Sequence, residues 1–444
     1  MSHRSNRTVG LFSLGCKVNQ AEADEWARGF RDLGYEIVPF DAVADAYVVN
    51  TCTVTHVADR KSRQLLRQAR RLNPAALVVA TGCYASVAPE QVARIVGVDL
   101  VVGGADKARL VQAVHEALEG AEEQPGETFG GELRRFAGRT RAFVKIGDGC
   151  DKFCAFCIVP YARGRARSLP FDDAIARVSA MASEGYREIV LTAVHMGTYG
   201  QDLEPRRSLR ELVDAALERT PVERLRLSSI EPEDFDLSIL DLWRRHPGRL
   251  CRHFHLALDS GCDATLGRMR RRYTTRQLAD LVAAIREAVP GAGITTDVMT
   301  GFPGETAEEH AASRAFVEAM GFSQIHVFKY SQRSRTAAAK HPNQVPEAAK
   351  AERTEEMLQV AAESARRFRA GLVGQTLDVL FEQRVEQQAE QRAEGLGASA
   401  DVWEGLADNY VRVFAPSGQS LANELRRVRV VGAHPDGVTG EIVT

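Results

Sequence analysis

Three segments in the first hundred residues repeat one pattern, and that pattern constrains the fold more than any other feature. VGLFSLGC, AYVVNTC and ALVVATGC each carry an apolar run, then small polar residues, then a cysteine, which places Cys16, Cys52 and Cys83 in equivalent positions 36 and 31 residues apart. Apolar runs separated by helix-length stretches predict buried strands of a parallel sheet covered by helices. In such sheets ligands bind beyond the carboxyl ends of the strands, where all three cysteines fall. The pattern predicts an α/β domain over residues 7–118 that gathers three thiols at one point.

Gly-rich, charged residues 119–135 read as a linker. From Ala142 the alternation resumes in six segments, AFVKI, REIVLTAV, RLRLSSI, HFHLAL, ITTDVM and QIHVFK. Six β/α units predict a partial (β/α)6 barrel over residues 136–370, active at the strand carboxyl ends and closed by the helical stretch after Pro346. Short alternating segments from 371 to 444 predict a small all-β barrel, with the polar stretch 384–401 as a loop insertion. The fold class is therefore α/β, with a C-terminal all-β module.

Directly after the first barrel segment, GDGCDKFCAFCIVPYARGRARS sets Cys150, Cys154 and Cys157 in a C-x3-C-x2-C spacing. Three soft thiolates from one loop suit an iron–sulfur cluster and leave a fourth iron open to a ligand. The competing reading is a zinc knob or three buried thiols. Strand context favours the cluster for this triplet, and the repeated strand-end position favours a metal site for the N-terminal one.

Composition narrows the class further. Eight cysteines in 444 residues are too few for a disulfide-stapled secreted scaffold, and no apolar run approaches the length of a membrane span. A cytoplasmic protein is expected. The net charge of −2 offers no global attraction for nucleic acid, so any polyanion contact must be local.

Together with GCKVNQ, NTC, TGCY, RLSSIEP, HFHLALDSGCD, TDVMTGFPGET and YSQRSRTA, the second triplet resembles the methylthiotransferase branch of the radical S-adenosylmethionine enzymes over nearly the whole chain. Within that branch it looks most like the tRNA threonylcarbamoyladenosine methylthiotransferases. The resemblance implies an N-terminal methylthiotransferase domain, a radical barrel and a C-terminal RNA-binding barrel called TRAM. It implies two 4Fe-4S clusters: one on Cys150, Cys154 and Cys157, where bound S-adenosylmethionine is reductively cleaved to a radical that abstracts an adenine C–H hydrogen; the other, auxiliary, on Cys16, Cys52 and Cys83. A second S-adenosylmethionine gives the methyl group. The implied partners are the tRNA anticodon loop, an electron donor protein and a sulfur donor, with no membrane. Related activities toward isopentenyl-adenosine in tRNA and an aspartate of a ribosomal protein are the enzymatic rivals, and a zinc-holding RNA scaffold is the non-enzymatic one.

For the S-adenosylmethionine pocket the resemblance points to Glu231, to Asp259 and Ser260 of the DSG turn, and to Asp297 and Gly301. Carboxylates at strand ends also serve as helix caps. Asp259 stands where the family has Gln and Arg335 where it has Gly, the latter adding a Cβ where φ > 0 is expected. Cys251 and Cys262 are read as structural. Between residues 134 and 168 nine basic residues face Asp148 and Asp151, and further basic runs follow Cys52 (Arg60 to Arg71) and the DSG turn (Arg268 to Arg276). The C-terminal module is acidic, net −5 from residue 371, although Arg426, Arg427 and Arg429, with Tyr410 and Phe414, offer a basic and aromatic strip.

Overall fold

A computed structural model of the chain describes residues 7–119, 140–385 and 401–443. Residues 120–135 of the expected linker and 386–400 of the expected loop insertion lie outside these. The chain forms two compact units, one of residues 1–136, 148–167 and 331–339, the other of residues 137–147, 168–330 and 340–444. The loop with Cys150, Cys154 and Cys157 thus groups with the N-terminal residues, and the C-terminal barrel groups with the (β/α) barrel.

In the first unit, β1 (Thr8–Ser13), β2 (Glu36–Val38), β3 (Ala46–Thr51), β4 (Leu77–Thr81) and β5 (Leu100–Val102) form one parallel sheet in the order β2-β1-β3-β4-β5. Every residue of β3 is buried, as expected of a central parallel strand. Helix α1 (Lys17–Asp32) packs Val18, Ala23, Trp26 and Phe30 inward. Helix α2 (His56–Leu72) buries Ser62, Leu66 and Ala69, while α3 (Gly82–Val87), α4 (Pro89–Ala93) and α5 (Leu110–Glu119) complete the cover. The strand order reverses between β1 and β3, which marks a topological switch point at their carboxyl ends. Cys16 follows β1, Cys52 follows β3 and Cys83 follows β4.

The second unit contains all six expected barrel segments as parallel strands, in two hydrogen-bonded halves. Strands 141–145, 188–192 and 224–227 form one, and strands 229–230, 253–259, 293–300 and 324–329 the other. The segment RLRLSSI breaks at Ser228 and supplies a strand to each half. Phe254, Leu256, Leu258, Ile294 and Val298 turn outward to the helix layer and form its core with Leu278, Val282 and Ile285.

The C-terminal residues form a closed five-stranded barrel, consistent with a TRAM module. Arg224 and Arg226, both essentially unexposed, pair with Glu188 and donate to the carbonyl oxygens of Asp378, Leu406, Ala407 and Asp408. Arg252 bonds Asp408, and Tyr410 stacks on His253 at 4.2 Å. Tyr410 is therefore spent on the seam with the (β/α) barrel, and Phe414 is buried. The aromatic platform expected from these two residues is not formed, because both rings are needed for packing.

Candidate functional site

The N-terminal thiols converge at the strand carboxyl ends, and two of them, Cys16 and Cys83, sit at strand-to-helix turns that glycine makes possible. Cys16 occupies the N-cap of α1, and Cys83 is the second residue of α3. Gly15 before Cys16 has φ +97°, and Gly82 before Cys83 has φ +92°. A Cβ on Gly15 would lie 2.9 Å from Cys52 Sγ, and one on Gly82 would lie 2.3 Å from the Thr51 carbonyl oxygen. Burial pushes the Cys52 thiol up to about 11, and neighbouring Cys83 and Cys16 push it the same way. Burial also pushes the Cys16 thiol up, and neighbouring thiols that resist ionisation alone are what a multivalent cation relieves, since metal binding displaces their protons.

The second triplet is held by a backbone that curls through left-handed conformations. Gly149 has φ +72°, and a Cβ there would meet the Arg165 carbonyl oxygen at 1.9 Å. Phe153 also has positive φ. The Cys150 N–H donates to Gly164 O, the Cys157 N–H to Cys154 O, and the Lys152 N–H to Cys150 Sγ at 3.5 Å. Ala338 N–H closes the loop by donating to Ala155 O. All eight cysteines of the chain are thiols, and the three of this loop are partly exposed. Three accessible soft donors on one short loop fit a four-iron cluster with one open iron.

A polar network ties this loop to the first triplet within the same unit. Helix α6 (Val159–Arg163) ends in a buried arginine whose Nη1 donates to Glu22 Oε1 at 2.8 Å and to Asp148 Oδ1 at 2.9 Å. Its Nη2 donates to Asn19 Oδ1 and Glu22 Oε2. Asn19 in turn donates to the carbonyl oxygens of Leu14 and Thr51 and lies 3.8 Å from Cys16 Sγ. Arg333 does similar work on the other side of Cys52, donating to Thr53 Oγ1 at 2.9 Å and Asp59 Oδ2 at 2.6 Å. Its Nε and Nη1 are buried with no hydrogen-bond partner among the described residues. Sequence marked Arg163 only as one of nine basic residues around the loop and did not mark Arg333, and only burial separates them from solvated arginines.

In the second unit the candidate pocket residues divide. Glu231 directly follows the strand Ser229–Ile230, and its Oε2 lies 3.5 Å from His195 Nε2, buried with no hydrogen-bond partner among the described residues. Burial raises its carboxyl above the ordinary range. A buried carboxylate oxygen whose contact with His195 is too long or misaligned for a hydrogen bond fits a ligand amine or hydroxyl just past a barrel strand end. Asp297 lies 3.3 Å from His255 Nε2 and shares the strand surface with His326. Asp259 has φ +60° and is ion-paired with Arg271, so its acid is neutralised within the fold. Ser260 is buried and its Oγ accepts from the Cys262 N–H. Gly301 has φ +71° and a Cβ there would strike Lys350 Cγ at 2.3 Å, a backbone reason for glycine. Arg335 is exposed and is not among the residues with positive φ, so that exchange imposes no backbone strain. Cys251 is buried beside Glu188, and burial pushes its thiol up to about 12. Cys262 is the N-cap residue of the helix Asp263–Arg268.

Comparison with known proteins matches residues 8–103 to the family described as "Uncharacterized protein family UPF0004" and residues 144–317 to the "Radical SAM superfamily". The chain is 34% identical over 436 residues to the Bacillus subtilis protein named threonylcarbamoyladenosine tRNA methylthiotransferase MtaB, covering 96% of this chain and 94% of that one. It is 40% identical over 353 residues to the Aquifex aeolicus protein of the same name, covering 78% and 85%. A Desulfitobacterium hafniense protein named ribosomal protein uS12 methylthiotransferase RimO is 31% identical over 450 residues, covering 99% of each.

Proposed function

The chain belongs to the radical S-adenosylmethionine methylthiotransferase family and is a transferase, and on that premise we propose that it converts threonylcarbamoyladenosine beside the tRNA anticodon to its 2-methylthio derivative. The observation that carries the tRNA reading is near full-length identity to relatives named for that reaction, at 34% and 40%. The 31% identity to a relative named for a ribosomal protein keeps an aspartate side chain as the second reading.

The family's 4Fe-4S cluster and S-adenosylmethionine, when bound, supply the one-electron cleavage that lets an inert adenine C–H bond be opened, and a second S-adenosylmethionine supplies the methyl group. In this reading Cys150, Cys154 and Cys157 hold that cluster, and Cys16, Cys52 and Cys83 hold an auxiliary cluster that handles sulfur. Arg163 and Asn19 fix the two thiol sets in register, a positioning task on which a reaction between two centres depends. Glu231 and Asp297, with Ser260 and the turn at Gly301, form the S-adenosylmethionine pocket, and Asp259 shapes it through Arg271. The segments 7–118, 136–370 and 371–444 serve as auxiliary-cluster, radical and RNA-contacting domains. A base in a single-stranded loop can be splayed out and stacked, which suits this chemistry. The reaction draws on an electron donor protein and a sulfur donor, and its substrate places it in the cytoplasm. No described helix is long and apolar enough to cross a membrane.

Mass spectrometry of tRNA nucleosides from cells with and without the gene tests the proposal. Loss of the methylthio form with accumulation of threonylcarbamoyladenosine is expected. Unchanged tRNA with an unmodified ribosomal-protein aspartate would transfer the assignment to the second reading.

A further inference from the structure

We propose that the outward face of α2, built from Arg60, Arg63, Arg67 and Arg71, is a docking strip for the sugar–phosphate backbone of the tRNA substrate, a proposal that rests on the tRNA reading above. These arginines recur at helical spacing and line one shallow concavity with Gln64. The opposite face of α2 is committed to the sheet through Ser62, Leu66 and Ala69. The strip is therefore a surface the fold holds rigidly in place.

Its charge is not balanced locally. The seventeen residues of α2 contain six basic side chains and a single acid, Asp59, which is buried and paired with Arg333. Arg63 rests against Tyr84, donating to its hydroxyl at 3.2 Å. Arg60, Arg67 and Arg71 are exposed, and none has a carboxylate partner among the described residues. Some exposed arginines outside α2 do find one, Arg244 with Asp241 and Arg366 with Glu363. Like charges one turn apart destabilise a helix, so a row of unpaired ones is a feature that helix stability does not explain. The choice of arginine over lysine fits phosphate, whose oxygens match the guanidinium fork.

Placement gives the strip its use. Helix α2 starts four residues after Cys52, and the strip extends ~16 Å from Arg60 to Arg71 at 1.5 Å per residue. A backbone laid along it is led toward the N-terminal triplet. In a chain of net charge −2 such a local row is what attracts a polyanion.

The test uses the full-length protein, purified anaerobically, and in vitro transcribed tRNA carrying enzymatically installed threonylcarbamoyladenosine. The dissociation constant is measured from about 50 to 200 mM salt for wild type, the Arg60→Gln/Arg67→Gln/Arg71→Gln triple variant, and the corresponding Arg→Lys triple. Each lost phosphate contact lowers the slope of log K against log salt by ~0.7 to 0.9, so the Gln triple is expected to lose ~2 to 3 from the slope and to bind at least ~10-fold more weakly at low salt. The Lys triple is expected to keep the wild-type slope. Thermal melting of the Gln triple at the wild-type temperature shows that the fold is intact. Wild type that binds tRNA while the Gln triple keeps its affinity and slope overturns the strip and leaves the tRNA reading standing. Wild type that binds no tRNA overturns that reading, and the strip falls with it. A Gln triple that loses binding only to phosphatidylserine vesicles overturns the RNA assignment of the strip.

Discussion

Replacing Arg163 by Met should loosen both thiol sets at once, and the structure sets the size of the effect. The side chain is 2% exposed and reaches Glu22, Asp148 and Asn19. Methionine keeps the apolar stem and removes every donor. Breaking a buried ion pair by deleting one partner costs about 3–5 kcal/mol, because the remaining charge is left uncompensated. Glu22 is 4% exposed and cannot recover water, but Lys107 Nζ remains 3.8 Å away, and Asp148 is 22% exposed and can rehydrate. These two reliefs favour the low end, about 3 kcal/mol. For a unit of this size each kcal/mol moves the melting temperature by roughly 2–4 °C, so a drop of ~6–12 °C is expected in the transition of the first unit. Differential scanning calorimetry of the apoprotein resolves it without assuming that the whole chain melts in one step. Arg163→Lys, which keeps the charge but not the fork, should lose about half as much. A Met variant that melts with wild type and binds the wild-type amount of iron on reconstitution would refute the claim that this network holds the site together.

Three further outcomes follow from the same structure. Replacing Cys16, Cys52 and Cys83 by Ala should lower reconstituted iron from about eight to about four per chain if each triplet holds one four-iron cluster; iron near eight in the triple variant sinks the auxiliary site. Gly82→Ala should do nearly the same with every cysteine present, since its Cβ would lie 2.3 Å from Thr51 O at φ +92°, and iron analysis with full retention would show that the turn tolerates a side chain. Burial works against the charge of Glu188, but Arg224 and Arg226 outweigh it and hold the carboxyl well below its ordinary 4.5. A depressed acid stabilises the fold above its unfolded value and loses that contribution as pH falls, so the second unit should lose stability from about pH 5 downward. Glu188→Gln should melt lower at neutral pH and depend less on pH in that window, and parallel pH profiles for the two proteins would contradict the pairing.

The strands and both triplets were legible because their signals are local. Apolar runs ending in cysteine mark strand carboxyl ends whatever the rest of the chain does, and the six barrel segments were legible from their apolar runs alone. What sequence could not show is which charges face inward. Arg163, Arg165 and Arg167 look alike in GRARS and its approach, yet Arg163 is buried on Glu22 while Arg165 is exposed and pairs with Asp151. The same blindness made Tyr410 look like an RNA platform when it packs on His253. Asp259 looked like a disturbance of the pocket until Arg271 appeared beside it, twelve residues on.

Long-range pairing of charge is the missing information, and it also accompanies the grouping of the Cys150 loop. The boundary drawn from periodicity put the Cys150 loop with the barrel whose first strand precedes it. The family match over residues 144–317 keeps the loop with that barrel, while by contacts the loop groups with the N-terminal residues, where Arg163 and Arg333 meet the buried carboxylates of Glu22 and Asp59. A buried arginine needs its partner more than a loop needs its neighbouring strand, since an unpaired charge inside a protein is far costlier than an exposed backbone turn. Both triplets consequently fall within one compact unit. On the proposed two-cluster reading, a chemistry that needs two thiol-bound centres near one another is served by having both triplets in one unit.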